Sequence, residues 1–231
     1  MTRLNLIFDL DGTLTDSREG VIRSIRYALD RVGVSAVSGE ELDNCIGPPL
    51  LDSFTRLLGP GRSHLTPQAL EHYQQRYADV GIFESRPYDG IRDCLRDLEG
   101  LANLYVATSN RTDYSKQILA HFGLDGYFGR IQGSANWQDG DKSDRIAELL
   151  KAEGFDPSTA FMIGDRYHDI EGARKNWIAS VGILWGYGTE AELAASGAAA
   201  IISHPQELSG YFKSYRLGNK PLGLGGVKTW E

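Results

Sequence analysis

Asp9 and Asp11 in IFDLDGTLTDS, residues 7–17, stand one residue apart directly after an apolar run, Asn5-Leu6-Ile7-Phe8. Close carboxylates repel, each raising the other's cost of ionisation, so a pair at the end of a buried strand needs something to offset its charge. Three further polar clusters bear the same relation to apolar runs. They are Thr108-Ser109-Asn110 after 103–107, Lys142 in DGDKSD after 127–132, and Asp165 with Asp169 in GDRYHD after 160–163. Carboxylates, a hydroxyl and an ammonium brought to one place suit a divalent cation and a phosphoryl group, because the cation offsets the repulsion. Mg²⁺ favours oxygen ligands and keeps several waters, so two carboxylates, a backbone carbonyl, water and a substrate phosphate would fill its shell. Thr108 and Lys142 are then available for the remaining phosphate oxygens.

The elements that must position these residues alternate. After Pro87 the pattern predicts helices over 91–99, 113–122, 144–153, 169–176 and 190–195, and strands over 103–107, 127–132, 160–163, 179–184 and 199–202. Strands alternating with helices imply parallel βαβ units, hence an open parallel sheet covered on both faces, with ligands gathering at the carboxyl ends of its strands. The strand before Asp9 matches this set but is separated from it by residues 17–84. Those residues read as helices alone, with Val21, Ile22, Ile25, Leu29 and Val32 on one face of the first and shorter patterns over 40–45, 50–58 and 67–80. The expected fold is therefore α/β, a Rossmann-like open parallel-sheet core over 1–16 and 85–210 with an inserted all-α cap domain over 17–84. The Gly-rich stretch 211–231 is expected to be a loop or flexible tail.

Composition narrows the partners. The 231 residues carry a formal charge of −7, which argues against a nucleic-acid partner, since such proteins usually present a basic face. No apolar run approaches the ~18 residues of a membrane span, and the start lacks a signal-peptide pattern. The chain is expected in the cytoplasm, as a monomer or homodimer acting on a small phosphorylated metabolite. Cys45 and Cys94 show no metal or disulfide spacing and are expected to be buried or half-buried. The first lysine is Lys116.

DLDGTLTD, the hydroxyl closing LYVATSN, the single lysine of DGDKSD and GDRYHD, in that order, resemble the haloacid dehalogenase superfamily over residues 3 to about 208, with the helical block where that family places a cap. The resemblance implies that Asp9 is the nucleophile forming an aspartyl-phosphate. Asp11 is implied as the acid that protonates the leaving oxygen and later the base for water. Thr108 and Lys142, with Ser109 and Asn110 beside them, would bind the phosphoryl group, and backbone N–H groups around Leu10 and Asn110 would cradle it. Mg²⁺ would be held by Asp9, the Asp11 carbonyl, Asp165 and Asp169.

Within that family Asp11 favours phosphoryl transfer over dehalogenation, since a halide leaves without a proton and an alkoxide does not. The lysine-free cap argues against imine chemistry. Gly20 and Val21 stand where the phosphoglucomutase branch carries a histidine. The segments MIGDRYHDIEGA and GILWGYG are similar to the phosphoglycolate-phosphatase-like branch, including members described as 5′-nucleotidases. Cap closure would select the leaving group, with Gly47, Pro48 and Arg56 as candidate reporters, and Arg166 and His168 either touch the site or shape its loop.

Plainer readings stand beside these. Asp9 and Asp11 could close a turn with Gly12, Thr108 could cap a helix, Lys142 could be a solvated turn residue, and Asp169 could cap the helix near Ile170. Tyr73, Tyr77 and Phe83 read as core. A receiver-like domain phosphorylated on an aspartate is the competing class, though it leaves Asp11 and the helical block unexplained.

Overall fold

The computed structural model describes residues 3–35, 37–46, 50–136 and 141–216. The chain divides into two compact units, Met1–Thr15 with Pro87–Glu231, and Asp16–Arg86. In chain order the strands and helices are β1 (Leu4–Phe8), β2 (Thr15–Asp16), α1 (Arg18–Arg31), α2 (Gly39–Asp43), α3 (Leu50–Leu58), α4 (Thr66–Asp79) and β3 (Arg86–Pro87). There follow α5 (Ile91–Glu99), β4 (Ala102–Arg111), α6 (Thr112–His121), β5 (Arg130–Ser134), α7 (Lys142–Glu153), β6 (Ala160–Gly164) and α8 (Tyr167–Lys175). The last are β7 (Ala179–Ile183), α9 (Glu190–Ala195), β8 (Ala200–Ile202) and α10 (Pro205–Arg216).

The first unit is a six-stranded sheet in the order β5-β4-β1-β6-β7-β8, and every neighbouring pair is parallel. A parallel sheet hides both faces, so its strands read as continuous apolar runs; all five residues of β1 are buried. Asn5, the polar member of that strand, is satisfied by Thr159 Oγ1 at 2.9 Å and by the Asn103 amide at 3.0 Å. On one face Ile7, Tyr105 and Met162 pack with Ile146 and Leu149 of α7 and Ala173 of α8. The chain runs from β1 outward to β4 and β5, then returns across β1 to β6. Loops therefore diverge at the carboxyl end of β1, the crevice where open α/β sheets bind ligands.

Three expectations are corrected here. Residues 211–216 belong to α10, not to a tail: Leu208 and Phe212 are fully buried, and Phe212 and Tyr215 meet Phe161 of β6 edge-on at 5.2 and 4.9 Å. Burial against β6 overrides the local disfavour of Gly210; residues 217–231 lie outside the described residues. The strand expected over 127–132 starts at Arg130, because a 3₁₀ turn over Asp125–Tyr127 delivers Phe128 against Phe8 first. Helices α7 and α8 begin two residues early, at Lys142 and Tyr167, which places Lys142 and Asp169 inside first turns.

The second unit is helical. Helices α1 and α4 pack against each other, and a side chain at Gly20 would overlap the Gly81 carbonyl. Tyr73 and Tyr77 are buried and stacked at 5.4 Å, as expected of core residues. Phe83 is not core: it is 42% exposed, because its neighbour Ile82, fully buried, takes the inward place in a 3₁₀ turn. The Arg56 guanidinium donates to the Asn44 carbonyl at 2.9 Å and to Cys45 Sγ at 3.4 Å. Gly47 and Pro48 lie outside the described residues. Both cysteines are free and buried, and no helix among the described residues is long and apolar enough to cross a membrane.

If α10 is part of the core, Phe212→Ala removes a fully buried ring and should cost about 3–5 kcal/mol. A lower urea midpoint, whose shift multiplied by the m-value gives that free energy, with catalytic turnover at low denaturant retained, is the expected result.

Candidate active site

Asp9 is the first residue beyond β1, and its N–H donates to the Ile163 carbonyl at 2.9 Å, which carries the β1–β6 pairing up to the carboxylate itself. The side chain is buried. Its Oδ1 accepts from Leu10 N–H at 2.7 Å and lies 2.6 Å from Lys142 Nζ. Asp165 follows β6 directly and is fully buried; Thr13 Oγ1 donates to its Oδ1 at 3.1 Å and Tyr187 N–H to its Oδ2 at 2.9 Å. Asp169, in the first turn of α8, accepts from Arg166 N–H through Oδ2 at 3.1 Å while its Oδ1 lies 3.0 Å from Lys142 Nζ. The helix-capping and site readings of Asp169 thus coexist.

Lys142 also donates to the Ala107 carbonyl at 3.2 Å, so its ammonium group lies among Asp9, Asp169 and a backbone carbonyl of β4. Its position follows from the capping box at the start of α7, where Asp141 and Asp144 satisfy each other's backbone N–H groups. It is 5% exposed, not a solvated turn residue.

Asp9, Asp165 and Asp169 each bring one carboxylate oxygen within 4.8 Å of the others, a grouping that could hold a cation. Space for it is kept by glycines. Gly12 sits at φ +85°, where only glycine is unstrained, and a side chain there, or at Gly186, would overlap Asp165; one at Gly164 would overlap Asp169. The electrostatics favour binding of a positive charge. Burial raises the Asp9 carboxyl to about 6 against the pull of Lys142, and burial with the Asp169 and Asp9 charges raises Asp165 to about 8. Burial lowers the Lys142 ammonium, but Asp169 and Asp9 more than reverse this and hold it above its ordinary value. A hard divalent cation coordinated by oxygens would satisfy the excess negative charge.

Asp11 stands apart from that triad. Its Oδ2 accepts from the Asn110 amide at 3.1 Å, and its backbone bridges to Thr15. Thr108 is buried within β4, not at a helix start, and its Oγ1 accepts from Asn110 N–H at 3.1 Å. Ser109 is exposed, and its carbonyl accepts from Ser134 Oγ at 3.3 Å. Arg166 Nε and Tyr167 N–H both donate to Glu192 Oε1 at 2.9 Å, which fixes the loop between Asp165 and Asp169. His168 is half-buried against Tyr167, its pKa lowered by burial and then by Arg166 and Lys142.

Sequence reasoning missed Thr13, Trp185 and Tyr187. Trp185 Nε1 donates to the Thr13 carbonyl at 2.9 Å, tying the loop after β7 to the loop after β1. The available signal was the paired Gly186 and Gly188 around Tyr187, a spacing that marks close backbone approach.

The model of the haloacid dehalogenase-like hydrolase family matches residues 6–183. Among curated proteins, a 5′-nucleotidase of Pseudomonas aeruginosa is 42% identical over 195 residues, 83% of this chain and 87% of that one. The tyrosine-protein kinase PtkA of Mycobacterium tuberculosis is 35% identical over 201 residues, 86% of this chain and 68% of that one. A phosphoglycolate phosphatase of Agrobacterium fabrum is 28% identical over 189 residues, 78% of this chain and 80% of that one. Among solved structures, a haloacid dehalogenase-like family hydrolase from Streptococcus pneumoniae superposes with a TM-score of 0.85 at 30% identity, covering 91% of this chain and 98% of that one.

Two outcomes are expected. Asp9 and Asp165 bind protons more tightly folded than unfolded, so without cation their contribution to stability is full below about pH 4 and is lost as pH rises towards 8. A cation needs both ionised. The rise in Tm on adding Mg²⁺ should therefore grow from pH 6 to pH 8, with proton release seen by calorimetry in buffers of different ionisation enthalpy; a cation-induced shift independent of pH would contradict this. Thr13→Val, which strips one donor from Asp165, should weaken cation affinity roughly 10–100-fold in a titration followed by Tm.

Proposed function

The chain belongs to the haloacid dehalogenase-like hydrolase family and is a phosphoric monoester hydrolase, and we propose that it is Mg²⁺-dependent and cleaves a small phosphorylated metabolite through an aspartyl-phosphate on Asp9. The observation that carries this reading is the division of labour between the two aspartates of DLDGT. Asp9 is a member of the carboxylate triad and pairs with Lys142, while Asp11 is not part of that triad and accepts from the Asn110 amide.

In the first step an Asp9 carboxylate oxygen bonds to phosphorus as the bond from phosphorus to the leaving oxygen breaks. Asp11 gives that oxygen a proton, so an alcohol departs. In the second step Asp11, now ionised, takes a proton from water as the water oxygen bonds to phosphorus and Asp9 is released. Thr108 and Lys142 hold the phosphoryl oxygens. Both expected backbone donors already have acceptors within the chain, Leu10 N–H on Asp9 Oδ1 at 2.7 Å and Asn110 N–H on Thr108 Oγ1 at 3.1 Å, so a phosphate would have to share or displace them. Asp9, Asp165 and Asp169, with the Asp11 carbonyl, would hold Mg²⁺, which supplies charge stabilisation for the phosphoryl oxygens when bound.

Relatives named for 5′-nucleotides and for phosphoglycolate make nucleoside monophosphates the first candidate substrates and phosphoglycolate the second. Selection between them is assigned to the helical unit. The kinase relative supports a second reading, transfer to a tyrosine hydroxyl.

Asp9→Asn should give a folded protein with no turnover. Hydrolysis of 4-nitrophenyl phosphate by that variant at the wild-type rate would sink the mechanism. A panel of nucleoside monophosphates, phosphoglycolate and sugar phosphates, each with Mg²⁺ or with chelator, should show metal-dependent phosphate release on one class. Stable stoichiometric phosphorylation without release would favour the receiver-like alternative, and label moving from ATP to a tyrosine peptide would favour the kinase.

A further inference from the structure

The end of β4 carries a hydrogen-bond relay whose last member is Asp11. Pairing of β4 with β5 is regular to Ala107↔Gln132 and resumes at Arg111↔Ser134, so four steps along β4 match two along β5. An irregularity of this kind breaks the ladder and re-aims side chains. It is locked from the β5 side, since a side chain at Gly133 would crowd the Asn110 carbonyl at 2.5 Å and Thr112 N at 2.7 Å.

Within the irregular stretch the orientation of the Asn110 amide is determined. Arg111 N–H donates to Asn110 Oδ1 at 2.8 Å, which obliges that end of the amide to be the acceptor. The other end is then the NH₂ group, a donor only, and it meets Asp11 Oδ2 at 3.1 Å. Flipping the amide would set two donors against each other at Arg111 and two acceptors at Asp11. Asn110 is buried.

We propose that Asn110 is a positioning residue for Asp11: its amide, donating to Oδ2, fixes the orientation of the carboxyl group that hands the proton to the leaving oxygen and later takes one from water. The unprotonated oxygen of a carboxylic acid is the better acceptor for an NH₂ donor, so the relay from Arg111 N–H through Asn110 biases which oxygen carries the proton. The Asn110 side chain is thereby assigned to the acid/base step and not to the phosphate. This inference rests on the reading of Asp11 as the acid.

The test exploits the fact that a good leaving group departs without a proton and a poor one does not. Measure kcat/KM, which reports the step that forms the aspartyl-phosphate, for 4-nitrophenyl phosphate, phenyl phosphate and an alkyl phosphate, in wild type, Asn110→Ala, the isosteric Asn110→Asp and Asp11→Asn. Both Asn110 variants should lose roughly 10²-fold on the alkyl ester, at the low end of what a positioned acid supplies, and less than about 3-fold on the nitrophenyl ester. Equal losses on all three esters, or none, in whichever Asn110 variant keeps the wild-type Tm, would overturn the proposal. If Asp11→Asn also lowers all three equally, the assignment of Asp11 as acid falls as well; if it steepens the leaving-group dependence while the Asn110 variants do not, only the role of Asn110 falls.

Discussion

Everything at the sheet edge depends on one ammonium group placed between two buried carboxylates. Lys142 Nζ lies 2.6 Å from Asp9 and 3.0 Å from Asp169, and burying either carboxylate alone would be prohibitive. With Lys142 in place the three-carboxylate cluster still carries excess negative charge, which is what a cation-binding site must hold in reserve. Lys142 thus makes the cluster foldable, and in the proposed mechanism it is also the positive charge offered to the phosphoryl group.

The fold supplies that geometry through strand ends. β1, β4 and β6 are adjacent, so the residues that follow or close them converge although they are about 100 and 150 positions apart along the chain (9, 108 and 165). Convergence alone would give a crowded, repulsive edge. Glycines at 12, 164 and 186 remove the side chains that would overlap the carboxylates, and hydrogen bonds from Thr13 and Tyr187 hold Asp165 in one orientation. Room and orientation are therefore set by residues that carry no charge.

That division explains what could be read from the chain. Asp9 and Asp165 were nameable because a charged residue directly after an apolar strand contradicts its surroundings, Lys142 and Asp169 because they stand at the starts of the helices that follow strands, and the alternation of strands and helices told which ends meet. Thr13 and the Tyr187 N–H carry no such contradiction; a hydroxyl in GTLT and a backbone donor in GYG look like any loop. The last helix was hidden for a different reason. Gly210 weakens its local signal, and its stability comes from Phe212 and Tyr215 against Phe161, a contact between residues some fifty positions apart that no window of sequence displays. Phe83 failed the other way, since an aromatic beside Ile82 looks equally buried until the turn decides which of the two points inward.

The docking of α10 on β6 also has a temporal meaning. Asp165 hangs from a strand whose outer face stays bare until Phe212 has been made, and the donor at Tyr187 arrives only after β7. A chain emerging from the ribosome therefore carries its Asp9 strand long before Lys142, the ammonium beside that carboxylate, has been made. Such long-range closure is slow compared with local helix formation, because chain entropy is lost before the distant contacts form.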